Sequence, residues 1–340
     1  KIQKALAPPY TLENLTLDVS ASVGAALFPQ HGNDADTLLQ RVDVAMYAAK
    51  QDKKDFVLYS EKLDQQSPRR LSLVSELREA IKNDELSLRY QPIINNLTQV
   101  VSEAEVRWRW EHKIHGTLNP DEFIPLAERS GLIYPLTQWV ITNALRQQSA
   151  WRTLGLDLGM AVNISAQTLL DPEFVDQVTG LLAAHDVPPQ QLILEITESS
   201  IMFDQELALH ILTRFSDMGV RIAIDDFGTG YSSLSYLRKL PVTQLKIDKS
   251  FVLDMLENEN DAVIVNATID LGHNLGLKVI AEGVENEDIL KRLRQRGCDG
   301  MQGYHINYPL RSEDFLPWFY NAAHLGQRAV AAKGEIRSSI

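Results

Sequence analysis

Short apolar stretches recur along the later two-thirds of the chain. They fall at LSLRYQPII (86–94), QVVSEAEVRWRW (99–110), GMAVNIS (159–165), LILEIT (192–197), VRIAIDDFG (220–228), QLKIDKS (244–250), KVIAEGV (278–284) and GMQGYHI (300–306). Their length and near-continuous hydrophobicity predict strands covered on both faces. Between most of them, apolar residues return at helical spacing. Leu207, Ile211, Phe215 and Met218 form one such face, ended by Gly219; another helix opens at Asn286 and ends at Gly297. Eight strands alternating with helices over roughly 240 residues predict an α/β fold of the (β/α)8 barrel type. An open doubly wound sheet is the alternative, but it usually carries a glycine-rich phosphate turn after its first strand, and none is present.

Residues 15–60 follow a different pattern. LTLDVSASVGAALFP (15–29) predicts a strand pair. The stretch 34–51 predicts a helix with Leu38, Val42, Ala45 and Ala49 on one face, and FVLYS (56–60) a closing strand. That is too little for a stable domain by itself. The polar run SEKLDQQSPRR (60–70), with Pro68, reads as a linker. The expected organisation is a small unit over 1–62, a linker over 63–72, the barrel over 73–325 and a tail over 326–340 with no sustained apolar face.

Composition narrows the function. A chain of 340 residues, 44% hydrophobic and 23% charged, has room for about two domains with a real core. The net charge of −12 argues against a broad basic face for a nucleic acid polymer. A polyanionic ligand would need local positive charge, from metal ions or a few placed Lys and Arg side chains. The single cysteine, Cys298, rules out internal disulfides and reads as a small core residue after a helix end. No apolar run is long enough to cross a membrane, so a cytoplasmic chain is expected. The opening KIQKAL reads as the middle of a longer protein, whose upstream part could carry an anchor.

The chemistry lies in polar residues that interrupt the apolar strands near their C-terminal ends. In order these are Glu105 and Arg109, Asn163, Glu195 with Glu198 just beyond, Asp225 and Asp226, Lys246 with Asp248, Glu282, and Gln302. In a barrel such ends converge on one mouth. Singly each has a plain explanation: Asp226 could cap a turn, and Lys246 could be a surface lysine. Together they describe a site. Five carboxylates within a few ångströms cannot all ionise without cations between them. Oxygen donors without Cys or His select Mg²⁺ or Mn²⁺, and two such ions ~4 Å apart are the recurrent device for phosphate ester hydrolysis. Lys246 and Arg109 supply fixed positive charge for a phosphate. The residues alone therefore describe a metal-dependent phosphodiesterase. His112 and His115, after the second strand, read as loop residues.

Several motifs resemble the EAL-domain family of bacterial cyclic di-GMP phosphodiesterases, over about residues 70–325. They are YQPI (90–93), RWEH (109–112), FIPLAE (123–128), VNIS (162–165), LEITES (194–199), DDFGTGYSSL (225–234), LKIDKSFV (245–252), AEGVE (281–285) and MQGYHINYPL (301–310). SVGAALFPQHG and AMYAAK, near the N-terminus, resemble the C-terminal part of a GGDEF domain. Its signature motif is missing, so an incomplete α+β fragment without synthetic activity is expected.

The resemblance implies a TIM-like barrel that opens cyclic di-GMP to linear pGpG. Glu105, Asn163, Glu195 and Asp225 would hold one ion; Asp225, Asp226 and Glu282 would hold the other. Lys246 would orient or activate water, and Gln302 would support the water and the substrate. Arg109 would contact a phosphate, and Gln91 would lie near a guanine. Glu285 and the loop DFGTGYSS (226–233), with Asp226, Phe227 and Gly228, would form a flexible lid linking the metal site to a homodimer interface.

One departure stands out. In the register that preserves every later spacing, the family's E-A-L motif reads Glu105-Val106-Arg107 here, and Glu103 replaces a small residue. Alternation puts Arg107 on the face of Glu105 and Arg109, roughly 6–7 Å from each. It could pair with Glu105 and weaken the first ion site, leaving a receptor that binds the dinucleotide without cutting it. It could lie against a substrate phosphate, or bridge to Glu103 with no functional role. Retained hydrolysis is the favoured reading, because every ligand, the lysine and the lid motif remain.

Overall fold

The computed structural model describes residues 10–12, 15–17, 21–51, 54–229 and 234–321. The chain divides into two compact units, residues 1–79 and 80–340.

In the first unit, β1 (Tyr10–Leu12) pairs antiparallel with β2 (Leu15–Leu17). The strand β3 (Val23–Ala25) pairs parallel with β4 (Phe56–Leu58), and the helix Ala35–Gln51 forms their crossover. The expected pairing within 15–29 is therefore replaced by two separate pairings. A parallel pair needs a connection of helix length, and the helix supplies it. A Cβ on Gly24 would lie 2.1 Å from the Met46 backbone nitrogen, so only glycine lets the strand come this close to the helix. Ala45, Ala48, Ala49 and Tyr59 are buried in this unit.

The polar run read as a linker is helical, lying within the helix Glu61–Lys82. Its Glu, Lys, Gln and Arg residues are good helix formers, and together they outweigh the single Pro68. The boundary between the two units falls near the end of this helix instead of at the polar stretch.

The second unit is a closed eight-stranded barrel. Its strands are β5 (Leu86–Asn95), β6 (Val101–His112), β8 (Gly159–Asn163), β9 (Leu192–Thr197), β10 (Arg221–Phe227), β11 (Gln244–Ile247), β12 (Lys278–Ala281) and β13 (Gly300–Met301). The short β7 (Gly116–Leu118) adds a hairpin to β6. Strands β6 and β8 through β13 run parallel around the barrel, but β5 is antiparallel to both of its neighbours, β6 and β13. Its link to β6 is a short turn, and so short a link can join only antiparallel strands. The eight predicted stretches all became strands.

Helices cover the outside. The helix Gln205–Asp217 buries Ala208, Ile211, Leu212 and Phe215. Asn286 caps the helix Glu287–Gln295 by accepting from the Asp288 and Ile289 backbone nitrogens at 3.1 and 2.9 Å. Cys298 is fully buried in a core cluster with Ile269, Val279, Leu293 and Met301, and burial pushes its thiol up to about 12. His112 ends β6, and its Nδ1 accepts from the Ile114 and His115 backbone nitrogens, so it shapes the turn.

Inside the barrel, side chains stack in layers. Glu103 lies beside Gly159 in the β6–β8 register, with Arg221 and Gln244 completing a floor. Ala161, Ile193 and Ala223 form an apolar layer above it. The polar residues of the strand ends sit over that layer.

Candidate active site

Strand register carries the candidate residues to one place. Gln91 on β5 faces Glu105 on β6, Asn163 on β8 faces Glu195 on β9, and Asp225, two residues before the end of β10, lies beside Thr197. Lys246 from β11 reaches the centre of the mouth with no exposed surface. Its Nζ lies 2.6 Å from Glu282 Oε1, 2.7 Å from Glu195 Oε1, 3.1 Å from Asp225 Oδ1 and 3.8 Å from Glu105 Oε2. Burial alone would strip its proton, but the four carboxylates outweigh burial and raise its pKa well above the usual lysine range. It is a fixed ammonium.

Glu105 is the most tightly held acid. Its Oε1 accepts from Asn163 Nδ2 at 2.9 Å; its Oε2 accepts from Gln302 Nε2 at 2.6 Å and pairs with Arg107 Nη2 at 2.9 Å. Burial opposes ionisation, yet Arg107, Lys246 and the two amides bring the pKa down to about 2. The other acids go the opposite way. Burial and repulsion from Glu105 and Asp225 raise Glu195 well above the carboxylate range. Burial pushes Glu282 up to about 7, even with Lys246 beside it.

A β-bulge places the adjacent aspartates. The β10–β11 register breaks between Ile224 and Phe227, and Asp226 adopts φ 54°, in the left-handed region. In a regular strand neighbouring side chains point to opposite faces. The irregularity keeps Asp226 at the mouth, where burial, Asp225 and Asp248 push its carboxyl up to about 6. Asp248 is the residue whose part the sequence underplayed. It caps the helix Lys249–Asp254 through the Ser250 nitrogen at 2.9 Å and hydrogen-bonds Asp226.

The remaining candidates frame this cluster. Gln302 Nε2 also donates to Gln91 Oε1 at 3.1 Å, and Gln91 Nε2 donates to the Asn307 carbonyl at 3.4 Å. Arg109 is held by the Trp108 carbonyl at 2.7 Å, with Arg107, Tyr304 and Arg89 near enough to act on its charge. Tyr304 stacks on Tyr308 at 4.4 Å between ring centroids, an aromatic pair not singled out in the sequence. Glu198 opens the helix Glu198–Met202, with both carboxylate oxygens buried and without a hydrogen-bond partner among the described residues. Phe227 is buried, Gly228 is exposed, and Glu285 lies exposed after β12. Residues 230–233 of the expected lid and the tail 326–340 lie outside the described residues.

Of the arrangements open to Arg107, this structure forms the pair with Glu105, at 2.9 Å. Glu103 is bound instead to Arg221 Nη1 at 2.5 Å and Gln244 Nε2 at 2.7 Å, so the Arg107–Glu103 arrangement is not formed.

Residues 74–309 match the EAL domain. The chain belongs to the EAL-domain family. Residues 1–55 match the diguanylate cyclase GGDEF domain. The bifunctional diguanylate cyclase/cyclic di-GMP phosphodiesterase MucR of Pseudomonas aeruginosa is 40% identical over 318 residues, covering 93% of this chain and 46% of that protein. The cyclic di-GMP phosphodiesterase PdeR of Escherichia coli is 36% identical over 321 residues, covering 94% of this chain and 48% of PdeR. The chain thus spans less than half the length of these two EAL relatives. A solved structure described as PaMucR phosphodiesterase, c-di-GMP complex, superposes with a TM-score of 0.70 at 42% identity, covering 72% of this chain and 99% of that one.

The mouth of this EAL barrel suits hard divalent cations. Glu105, Glu195, Asp225 and Glu282 are buried around two cationic side chains, Lys246 and Arg107, and Asp226 adds a fifth acid. The raised Glu195 and Glu282 show the consequence, an excess of acid over positive charge that added cations would relieve. The donors are all oxygen, the choice of Mg²⁺ or Mn²⁺. Among the described residues, no group of three or more acidic, His or Cys side chains is already set at metal-binding geometry, and the Lys246 ammonium stands among the carboxylates. No helix of the described residues is long and apolar enough to cross a membrane.

Proposed function

We propose that this chain hydrolyses cyclic di-GMP to linear pGpG, with two divalent cations, Mg²⁺ or Mn²⁺, at the barrel mouth. The observation that carries the reading is the fully buried Lys246 ammonium ringed by Glu105, Glu195, Asp225 and Glu282. A structural lysine needs one partner, whereas this one is surrounded by more acid than it can neutralise. The named activity of MucR and PdeR supports the same substrate.

Glu105, Asn163, Glu195 and Asp225 would hold one cation; Asp225, Asp226 and Glu282 the other. Bound there, the cations would supply Lewis acidity toward the phosphate and lower the pKa of water. The chain's own residues do the positioning. Lys246, kept protonated, donates to the attacking water and fixes its direction. Arg109 takes a non-bridging phosphate oxygen, an arginine–phosphate contact strengthened by charge. Gln302 locks Glu105 in place and links it to Gln91 at the edge where a guanine would sit. The net reaction joins the water oxygen to phosphorus, breaks one P–O3′ bond, and leaves a 5′-phosphate and a 3′-hydroxyl. A homodimer with Glu285, Asp226, Phe227 and Gly228 in its coupling segment completes the reading.

Incubating the purified chain with cyclic di-GMP and Mg²⁺ or Mn²⁺, and following pGpG by chromatography, tests it. Turnover that disappears in Glu105→Ala is expected. Tight nucleotide binding without any pGpG would reject hydrolysis.

A further inference from the structure

We propose that Arg107 is a tethered competitor for the cation at Glu105, so that this barrel needs more divalent ion than one with an apolar residue at that position. The inference rests on the metal-site part of the reading above.

Position 107 carries leucine in the family motif, and leucine cannot serve as a counter-ion. Here the guanidinium Nη2 lies 2.9 Å from Glu105 Oε2, on a carboxylate with no exposed surface. Both oxygens of that carboxylate already have donors. Asn163 Nδ2 takes Oε1, and Gln302 Nε2 shares Oε2 with Arg107. A cation approaching Glu105 therefore competes with these three donors, and Arg107 is the one among them that carries charge. Its attraction extends beyond Glu105, because Glu282, Glu195 and Asp225 also act on it. Arg107 thus neutralises part of the acid excess that recruits cations to the mouth.

Arg107 can also leave. Its side chain is 37% exposed, while its partner is closed off. Directly across the β5–β6 ribbon stands Arg89, and Arg109 lies two residues further along the same face. Arg89 is paired with Glu111 at 3.6 Å, so a guanidinium released from Glu105 would meet two other arginines around a single exposed acid, unless a further anion were present to receive it. That neighbourhood makes the Glu105 pair the resting position in the absence of cation and phosphate.

Calorimetric titration of Mn²⁺ alone into wild type, Arg107→Leu and Arg107→Met tests the competition, with melting temperatures confirming that each variant folds. Both variants are expected to bind Mn²⁺ about tenfold tighter or more, since a buried carboxylate loses a contacting cation. Arg89→Leu, which removes a charge from the same ribbon but not from Glu105, is expected to change Mn²⁺ affinity less than about threefold. Affinities of both Arg107 variants within twofold of wild type overturn the proposal, as does an equal gain in Arg89→Leu. Absence of Mn²⁺ binding in all the proteins also overturns it. Tighter Mn²⁺ binding without any pGpG would leave the competition standing and reject hydrolysis. Normal pGpG formation with unchanged Mn²⁺ affinity would do the reverse.

Discussion

Two buried glutamates leave β6 on the same face, two residues apart, and meet opposite surroundings. Glu103, at the floor, has one cationic partner, Arg221, and one amide, Gln244. Glu105, at the mouth, shares Lys246 with three other carboxylates and takes Arg107 as well. At the floor one acid meets one base, and Arg221 finds a further acceptor in the Gln190 carbonyl at 2.8 Å. At the mouth acids outnumber bases, and the excess appears as pKa values forced upward on Glu195, Glu282 and Asp226. Burial is common to both regions and distinguishes neither. The charge balance does: the floor acid is matched by its own base, whereas the mouth holds more acid than its own cationic side chains neutralise, the pattern that marks a candidate site.

The sharpest way to break this comparison is to remove each acid in turn. Glu105→Gln is expected to lower pGpG formation at least about a hundredfold, as lost active-site electrostatics do, with the protein still folded. Glu103→Ala should leave turnover per folded molecule within about twofold, because floor and mouth share no partner. It should instead cost roughly 2–3 kcal/mol of stability by leaving Arg221 and Gln244 uncompensated, discounted for the partial exposure of Arg221. Urea unfolding and steady-state turnover on both variants decide the matter. Equal losses of activity would mean that floor and mouth are one network.

A smaller effect should come from Gly159, the neighbour of Glu103 across the β6–β8 register. A Cβ there would lie 2.2 Å from Arg221 Nη2 and 3.1 Å from Glu103 Cγ. Gly159→Ala should force the pair aside at about 1–2 kcal/mol. In a Glu103→Ala background the cost should shrink, since Arg221, the nearest crowding group, is no longer held there by its pairing with Glu103 and can move aside. A fully additive double mutant in urea titrations would contradict a packed floor pair.

Much of this was readable in the chain. The eight strands sit within a few residues of their apolar stretches, because a run buried on both faces carries its own pattern. The mouth was legible because polar residues in such runs are costly and therefore informative. What stayed hidden depends on contacts remote in sequence. Glu103 meets Arg221 118 residues away and Gln244 141 residues away, so nothing local reveals the floor. The partner of Arg107 was undecidable because Glu103, Glu105 and a phosphate site all lie within its reach. The antiparallel β5 follows from a short turn whose consequence appears only once the barrel closes. Asp248 read as a strand residue, although its carboxylate caps a helix and bonds Asp226.

The least disruptive substitution probes the mouth most finely. Glu195 Oε1 lies 2.7 Å from the Lys246 ammonium nitrogen and its Oε2 accepts from Asn163 Nδ2 at 3.0 Å, yet burial and the neighbouring acids keep its carboxyl from ionising readily. Glutamine is nearly the same shape as that neutral carboxyl and can keep its amide oxygen toward Lys246, but its NH₂ group then meets Asn163 Nδ2, a donor that stays committed to Glu105 Oε1. Glu195→Gln should therefore cost only about 1 kcal/mol of cation-free stability, the worth of one hydrogen bond. The added response to Mn²⁺ should nevertheless vanish, because stabilisation by a ligand scales with its binding to the folded state. Wild type is expected to melt at a higher temperature when Mn²⁺ is added, and the variant at nearly the same temperature with or without it. If both proteins gain equally from Mn²⁺, Glu195 is not a cation ligand, and the acid excess at the mouth is met by the remaining carboxylates.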